Sequence, residues 1–400
     1  MRIAVFDYKV RPTNAIGGLH RIMMSAMADE HEFVVFAPEF DNPRPDRIEH
    51  VRVPTPLRPL ALQYLVYHLT APLTAWRYRR RTGRTFDRVL CVESNILQAE
   101  VVHAQFCHRA FVGARRSWGR ISLATIARRI DHHLRALTEP FVYSRARRVV
   151  VPSEGLRREL EEQFPWLGDR ITVIPSPVDH ARLRPPADFD RAGMRASLGL
   201  APTDLAMVFT ALGHFERKGL PLALEAMARC KPAIDPDALK LVVVGGRPDA
   251  VQAARQSAEA LGLGKRVIFA GMQSDIRPYL WAADAFVFPS QYETFSLSSY
   301  EAAAAALPII VTQLYGVEEF ARDGETALLV ERNAASVAHA MERLTAMTEE
   351  ERRALGARAA AAVAGNTAES FQGRWRAFWR ADAASLNEAE SASGMREALP

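Results

Sequence analysis

From residue 206 onward the chain alternates two kinds of segment, and that alternation is the strongest constraint on its fold. Short apolar runs, Ala206–Thr210, Leu239–Val244, Val267–Ala270, Ala285–Phe288 and Ile309–Thr312, are separated by helix-period stretches near 219–229, 249–262, 275–283 and 297–307. Strands buried on both faces read as continuous apolar runs, and their alternation with helices builds a parallel sheet covered on both sides. In an open sheet of this kind, ligands bind outside the carboxyl ends of the strands.

The most telling loop follows the fourth of those runs. It reads Pro289-Ser290-Gln291-Tyr292-Glu293-Thr294-Phe295-Ser296-Leu297 and leads into an Ala-rich helix that carries Glu301. The first-turn N–H groups near Phe295, Ser296 and Leu297 form a seat for a phosphate. Each glutamate can accept two hydrogen bonds from neighbouring hydroxyls, as sugars and riboses offer. Two glutamates with seven residues between them are also what a solvated helix face carries. After the first run comes Gly213-His214-Phe215-Glu216-Arg217-Lys218-Gly219. Arg217 and Lys218, placed before a helix-opening glycine, can neutralise a diphosphate, although Arg-Lys-Gly is equally a surface sequence. Met272 follows Phe269-Ala270-Gly271, and Gly316 to Glu319 follow the last central strand.

The first half repeats the pattern less regularly. Ile3–Phe6 reads as a strand, Asp7–Gly18 as a loop, Leu19–Asp29 as a helix and Phe33–Ala37 as a second strand. Gly17-Gly18 opens that helix, and paired glycines let backbone approach a ligand, or simply make the turn. Phe86–Val92 and Glu100–Phe106 read as further strands, the second running into His103 and His108. A histidine there faces a cleft or satisfies the core. Ile121–Arg148 is helical, Val149–Val151 a strand, Ser153 a helix cap through Gln163, and Ile171–Pro175 a strand. Prolines at 177, 185 and 186 and lost periodicity mark a linker near 175–190.

Leu60–Trp76 has no charged residue and is followed by Arg77, Arg79, Arg80 and Arg81. Leu62, Leu65, Val66, Leu69, Leu73 and Trp76 recur at helical spacing. The segment is too short and too polar to span a membrane, and Pro72 is expected to kink it. It reads as a helix covering the first sheet, with an interfacial helix on an anionic leaflet as the alternative. Charge favours that half: residues 1–180 carry 27 Lys+Arg against 19 Asp+Glu, and the remainder carries 24 against 27. No nucleic-acid-binding motif accompanies the excess.

Four hundred residues suit two domains, and 48% hydrophobic with 24% charged residues is a globular composition. Cys91, Cys107 and Cys230 are widely spaced, which favours a reducing, cytoplasmic setting over a disulfide scaffold. Met1–Asp7 reads as a strand, not a leader. Phe371, Trp375, Phe378 and Trp379 form an apolar helical stripe, and Ala383–Pro400 reads as a loose tail.

The strand ending in Phe-Pro-Ser, the Glu-x-Phe-Ser loop and the helix bearing Glu-Ala resemble the E-x7-E loop of retaining glycosyltransferases of family 4. The resemblance covers about residues 1–380 and is most specific over 205–330. It implies a GT-B fold: two doubly wound Rossmann-like domains facing a central cleft, with a C-terminal helix crossing back to the first. The corresponding divisions are 1–178 for the acceptor, 190–365 for the nucleotide sugar, 366–382 for the crossover helix and 383–400 for the tail. It implies that Glu293 contacts the transferred sugar and Glu301 the ribose. Lys218 matches the lysine of the diphosphate motif, and Gly213 falls where the family has arginine, with Arg217 as the compensating cation. Thr294 stands where the family has glycine. Gly17 and Gly18 would face the diphosphate, Met272 the nucleobase, Gly316–Glu319 the sugar, and a cleft histidine, placed at His108 with His103 as the other candidate, the sugar as well. The linker is similar to the family's Pro-Asn-Gly-Val-Asp segment, with Ser176 and Pro177 replacing Asn and Gly.

The function so implied is metal-independent, retaining transfer of a sugar from a nucleotide sugar, UDP-linked before GDP-linked, to a hydroxyl of a glycan, lipid-linked or small-molecule acceptor. No cofactor is expected. The basic first domain makes peripheral contact with the inner face of a membrane an expectation, and nucleic acid is not expected as a partner. A hydrolysing nucleotide-sugar epimerase and a catalytically silent GT-B subunit are the alternatives. A dinucleotide dehydrogenase is disfavoured because no G-x-G-x-x-G follows either first strand.

Overall fold

The computed structural model describes residues 1–12, 14–56, 58–114 and 123–397. The start of the helix expected from Ile121 lies outside them. Two compact units divide the chain, one made of Met1–Ser176 with the segment from Ala368 onward, the other of Pro177–Thr367. The first boundary falls where the prolines of the linker begin.

In the first unit, seven strands form one sheet: β1 (Arg2–Phe6), β2 (Glu32–Ala37), β3 (Ile48–Arg52), β4 (Arg88–Val92), β5 (Val101–His103), β6 (Arg148–Val151) and β7 (Ile171–Val173). Their order is β3-β2-β1-β4-β5-β6-β7, and every pairing is parallel. The central strands are buried on both faces, which is why they read as unbroken apolar runs. β3 escapes sequence reading because it is an edge strand with a single buried position.

The second unit repeats the plan with β8 (Leu205–Ala211), β9 (Leu239–Gly245), β10 (Val267–Gly271), β11 (Ala285–Phe288), β12 (Ile309–Thr312) and β13 (Leu328–Val330). The order is β10-β9-β8-β11-β12-β13, again all parallel. All seven residues of β8 are buried. In each unit the order reverses at one place, between β1 and β4 and between β8 and β11. Loops leaving the carboxyl ends of those strands flank a natural crevice.

The last helix, Ala368–Glu397, belongs to the first unit. Phe371, Trp375, Phe378 and Trp379 join a core that includes Ile3, Val5, Met23 and Phe33. Buried Arg88 and Asp382 pair, and Arg376 donates to the carbonyl of Ala26 at 2.9 Å. The helix therefore returns to the first unit, as the stripe of aromatic residues implies.

Three expectations change. The helix continues past Asp382 where a loose tail was expected, because Ala and Glu are strong helix formers and carry the existing helix onward. The helix after β1 begins at Ala15, not Leu19, because Asn14 accepts from the amide of Gly17 at 2.7 Å and caps it there. Leu60–Thr82 forms one helix through Pro72, and it covers the sheet with Gln63, Tyr64, Tyr67, Ala71 and Tyr78 while its leucines face outward.

Candidate active site

At the switch point of the second unit, β8 and β11 each end in a loop, and the two loops are locked together. Gly219 adopts φ +86°, and a Cβ there would stand 2.1 Å from the carbonyl oxygen of Pro289. Only glycine permits that approach. The amide of Gln291 donates to the carbonyl of Arg217 at 2.8 Å, and the Thr312 hydroxyl donates to that of Ser290 at 2.7 Å. The loop bearing Arg217 and Lys218 is thereby held against the loop bearing Glu293.

Three polar side chains converge on Oε1 of Glu293. Lys218 Nζ lies at 2.7 Å, the Ser290 hydroxyl at 2.9 Å and an Arg217 guanidinium nitrogen at 3.2 Å. Arg217 also donates to the carbonyl of Tyr292. Lys218 Nζ stands 5.1 Å from the centre of the Phe288 ring. Burial pushes the Lys218 ammonium below its usual range and Arg217 adds to the shift, while Glu293 opposes both. The acid thus holds two cations in one small region, where each would otherwise repel the other.

Beyond Glu293 the loop turns into the helix Leu297–Ala304. Phe295 stacks on Tyr300 at 4.3 Å between ring centres, and the Tyr300 hydroxyl donates to the carbonyl of Gly316 at 2.9 Å. Gly316 has φ +80°, and a Cβ there would stand 2.4 Å from the Phe295 carbonyl oxygen. These contacts fix the segment after β12 against the loop. Ser296 has φ +59°, its hydroxyl meets that of Ser299 at 2.7 Å, and no side chain caps the helix. The uncapped first turn starts at Leu297, the last of the three residues at which the phosphate seat was expected. Thr294 is not among the described residues with positive φ, so it replaces the family's glycine without backbone strain.

Glu301 differs from Glu293. Its carboxyl has no hydrogen-bond or ion-pair partner among the described residues, and burial pushes it up to about 7. A half-buried acid with nothing to accept from is a group prepared for an incoming donor. Met272 follows β10, two strands from β8, and is 51% exposed. An exposed apolar side chain at a strand end offers a surface for stacking.

The corresponding end of the first sheet is organised in the opposite way. Glu93, at φ +47°, receives His108 Nε2 at 3.2 Å and Arg135 at 3.0 Å. Arg135 also reaches Asp131 and Asn95. His108 Nδ1 lies 2.9 Å from His132 Nδ1, so both nitrogens of the His108 ring are engaged. His20 bridges Asp7 at 3.0 Å and His103 at 2.9 Å, and the other nitrogen of His103 meets Gln105. Burial works against ionisation of Glu93, but His108, Arg135 and His132 together hold it down at about 2. Burial pushes Glu139 up to about 7, and its carboxyl accepts the amides of His108 and Arg109.

His108 and His103, the candidates for a sugar-contacting histidine, both have their ring nitrogens hydrogen-bonded to neighbours inside the unit. Gly17 is likewise accounted for by packing, since a Cβ there would stand 2.2 Å from the Lys9 carbonyl oxygen. Gly18 lies in the same first turns of the helix. Glu93, Arg135, Asp131 and His20 were not foreseen, and neither was the contact of Ser290 with Glu293. Only Ser290 had a signal, its place in a loop at a strand's carboxyl end.

Comparison with known proteins covers both units. The family model for glycosyltransferase family 4 matches residues 20–182, and that for glycosyl transferases group 1 matches residues 206–347. A D-inositol 3-phosphate glycosyltransferase of Nocardia farcinica is 34% identical over 242 residues, 58% of this chain and 52% of that protein. The chain thus spans about half the length of the curated relatives it matches. WaaG, a glycosyltransferase involved in lipopolysaccharide biosynthesis, superimposes with a TM-score of 0.73 at 17% identity, over 93% of this chain and 98% of its own. HepE of Anabaena in complex with UDP and glucose does so with a TM-score of 0.67 at 17% identity, over 95% and 100%. With both halves matched and two Rossmann-like units in the order the sequence implied, the chain belongs to glycosyltransferase family 4 and has the GT-B fold.

Proposed function

We propose that the chain is a retaining glycosyltransferase that moves a sugar from a nucleotide sugar to an acceptor hydroxyl without a metal ion. The observation that carries this reading is the cluster of Lys218, Arg217 and Glu293 at the switch point of the second unit, with Glu301, on the helix that follows, unpartnered among the described residues. A nucleoside diphosphate has two features to match these. Its phosphates fit the two cations and the uncapped turn at Leu297, and its ribose diol fits Glu301, which can accept both hydroxyls.

In this reading the second unit holds the donor and the first the acceptor. The bond from the anomeric carbon to the diphosphate oxygen breaks, and a bond to the acceptor oxygen forms on the same face of the sugar. The acceptor proton passes to the departing phosphate. Lys218, Arg217 and the helix amides meet the charge that develops on the leaving group, which is the task a metal performs elsewhere. Glu293 orients the sugar and supports positive charge at its anomeric carbon. A UDP-sugar is favoured over a GDP-sugar, supported by the UDP and glucose bound to HepE on the same fold. The acceptor is a glycan, a lipid-linked sugar or a small polyol, in keeping with the lipopolysaccharide and inositol phosphate chemistry in the names of the similar proteins. Three free, buried cysteines suit a reducing, cytoplasmic setting.

The test is release of nucleotide from UDP-sugars and GDP-sugars with and without candidate acceptors, alongside thermal shifts with UDP and GDP. A nucleotide at about a hundred times its Kd stabilises the folded state by about 2.7 kcal/mol. Release that depends on acceptor, with retained anomeric configuration in the product, is expected. Release without acceptor would make the chain a hydrolase or epimerase, and no nucleotide binding would overturn the site.

A further inference from the structure

The helix Leu60–Thr82 is built the wrong way round for a helix that only covers a sheet. Its buried side contains Gln63, Tyr64, Tyr67, Ala71 and Tyr78. Leu62, Leu65, Leu69, Leu73 and Trp76 remain 44–75% exposed. Their spacing of three and four residues places all five on one narrow stripe. A single exposed leucine is ordinary, but a continuous row is a binding surface. The neighbouring helix Leu123–Arg145 repeats the arrangement with Ile126, Ile130, Leu137 and Phe141, which are 44–69% exposed. The two helices are joined through the hydroxyls of Tyr64 and Thr138, and the Arg135 guanidinium lies 4.7 Å from the Tyr64 ring centre.

Charge identifies what meets this surface. The helix Leu60–Thr82 contains no Asp or Glu and ends in Arg77, Arg79, Arg80 and Arg81. All four arginines are exposed, and none makes an ion pair among the described residues. Arg80 lies 4.6 Å over the Trp76 ring, at the point where the apolar stripe gives way to cations. An apolar row, a tryptophan at the junction and unspent arginines beyond it make up an interfacial helix. No helix of the described residues is long and apolar enough to cross a membrane, so contact of this helix with a bilayer would run along the surface and not through it. A second copy of the chain would bring another acid-free, arginine-ended helix to the same surface, and like charges would oppose it.

We propose that the outer face of Leu60–Thr82 and Leu123–Arg145 docks on an anionic lipid bilayer, with the apolar stripes at the headgroup–acyl boundary and Arg77–Arg81 on the lipid phosphates. The proposal does not rest on sugar transfer, because docking is measured without donor or acceptor.

The full chain is sedimented with vesicles of phosphatidylcholine containing phosphatidylglycerol, and with phosphatidylcholine alone. Binding to the anionic vesicles that weakens with salt is expected. Removing three arginines together, in R77A/R79A/R81A, should weaken it roughly 100-fold, given about 1 kcal/mol for each basic residue at a charged surface. L69E/L73E should lose a similar factor, about tenfold per leucine withdrawn from apolar contact. Brominated lipid should quench wild-type fluorescence and lose most of that quenching in W76F. Tm and nucleotide affinity should be unchanged in each variant, since these side chains face outward. Equal binding by wild type and all variants would overturn the proposal. So would failure of the wild type to bind anionic vesicles, including the case where it forms a dimer that L69E/L73E dissociates.

Discussion

The two units share a strand order, yet the ends of their sheets are chemically opposite. At the switch point of the first, acids, histidines and an arginine are buried and satisfy one another: Glu93 with His108 and Arg135, and Asp7 with His20 and His103. At the switch point of the second, two cations share one acid, a helix is left uncapped and Glu301 has no partner among the described residues. A dense group of titratable residues is therefore not in itself a site. What distinguishes a site is hydrogen-bonding and charge capacity that the protein does not use on itself.

Four measurements would break or sharpen that contrast. The largest effect is expected in the first unit, where Glu93→Ala takes the acid from His108 and leaves buried Arg135 with Asp131 alone, and should cost about 3–5 kcal/mol of stability. Denaturant unfolding reads this directly, and a loss below about 1 kcal/mol would mean that the network is not a structural unit. In the second unit, Glu293→Gln should lower kcat by ~100-fold or more with a smaller change in donor KM, as steady-state kinetics would show. The same change removes the carboxylate that keeps Lys218 charged, so donor binding by this variant should decline at alkaline pH earlier than in the wild type.

Lys218→Ala should weaken binding of a nucleoside diphosphate ~10–100-fold, the loss of a charge-assisted hydrogen bond worth about 1.5–3 kcal/mol. Its stability should stay within about 1 kcal/mol of wild type, because Arg217 and Ser290 still hold Glu293. Calorimetric titration and thermal unfolding of one variant thus compare use by ligand with use by fold. The smallest effect concerns Glu301. Its folded-state pKa is raised to about 7, so its contribution to stability is fully present below the ordinary carboxylate range and is lost as pH rises through about 7. In the proposed function the ionised form is the one that accepts both ribose hydroxyls. Donor affinity should accordingly rise by up to about tenfold as pH increases across 7, and Glu301→Gln should flatten that dependence.

Much of the second unit was legible because its determinants are local. Strands buried on both faces are apolar throughout, helices between them keep their period, and the loop from Pro289 to Leu297 carries its chemistry in consecutive residues. The partners of Glu293 were legible only as separate motifs. Nothing between positions 218 and 293 in the sequence says that Gly219 lets one loop lie on the other. In the first unit, His108 was legible as a histidine at a strand end, but not as one with both nitrogens occupied, because Glu93 and His132 come from other elements. The outward turn of Leu62, Leu65 and Leu69 was hidden for the same reason. Periodicity defines a stripe, and packing decides which stripe is buried.

The sequence by itself determined the alternating strand–helix plan, the linker near Pro177 and the residue types of the loop proposed to bind phosphate and sugar, because each follows from short-range pattern and backbone preference. Tertiary structure alone decided which charges are spent on the fold and which are left for a ligand. That outcome depends on distances between residues far apart in the chain, where a difference of a few ångströms separates a satisfied ion pair from an open one.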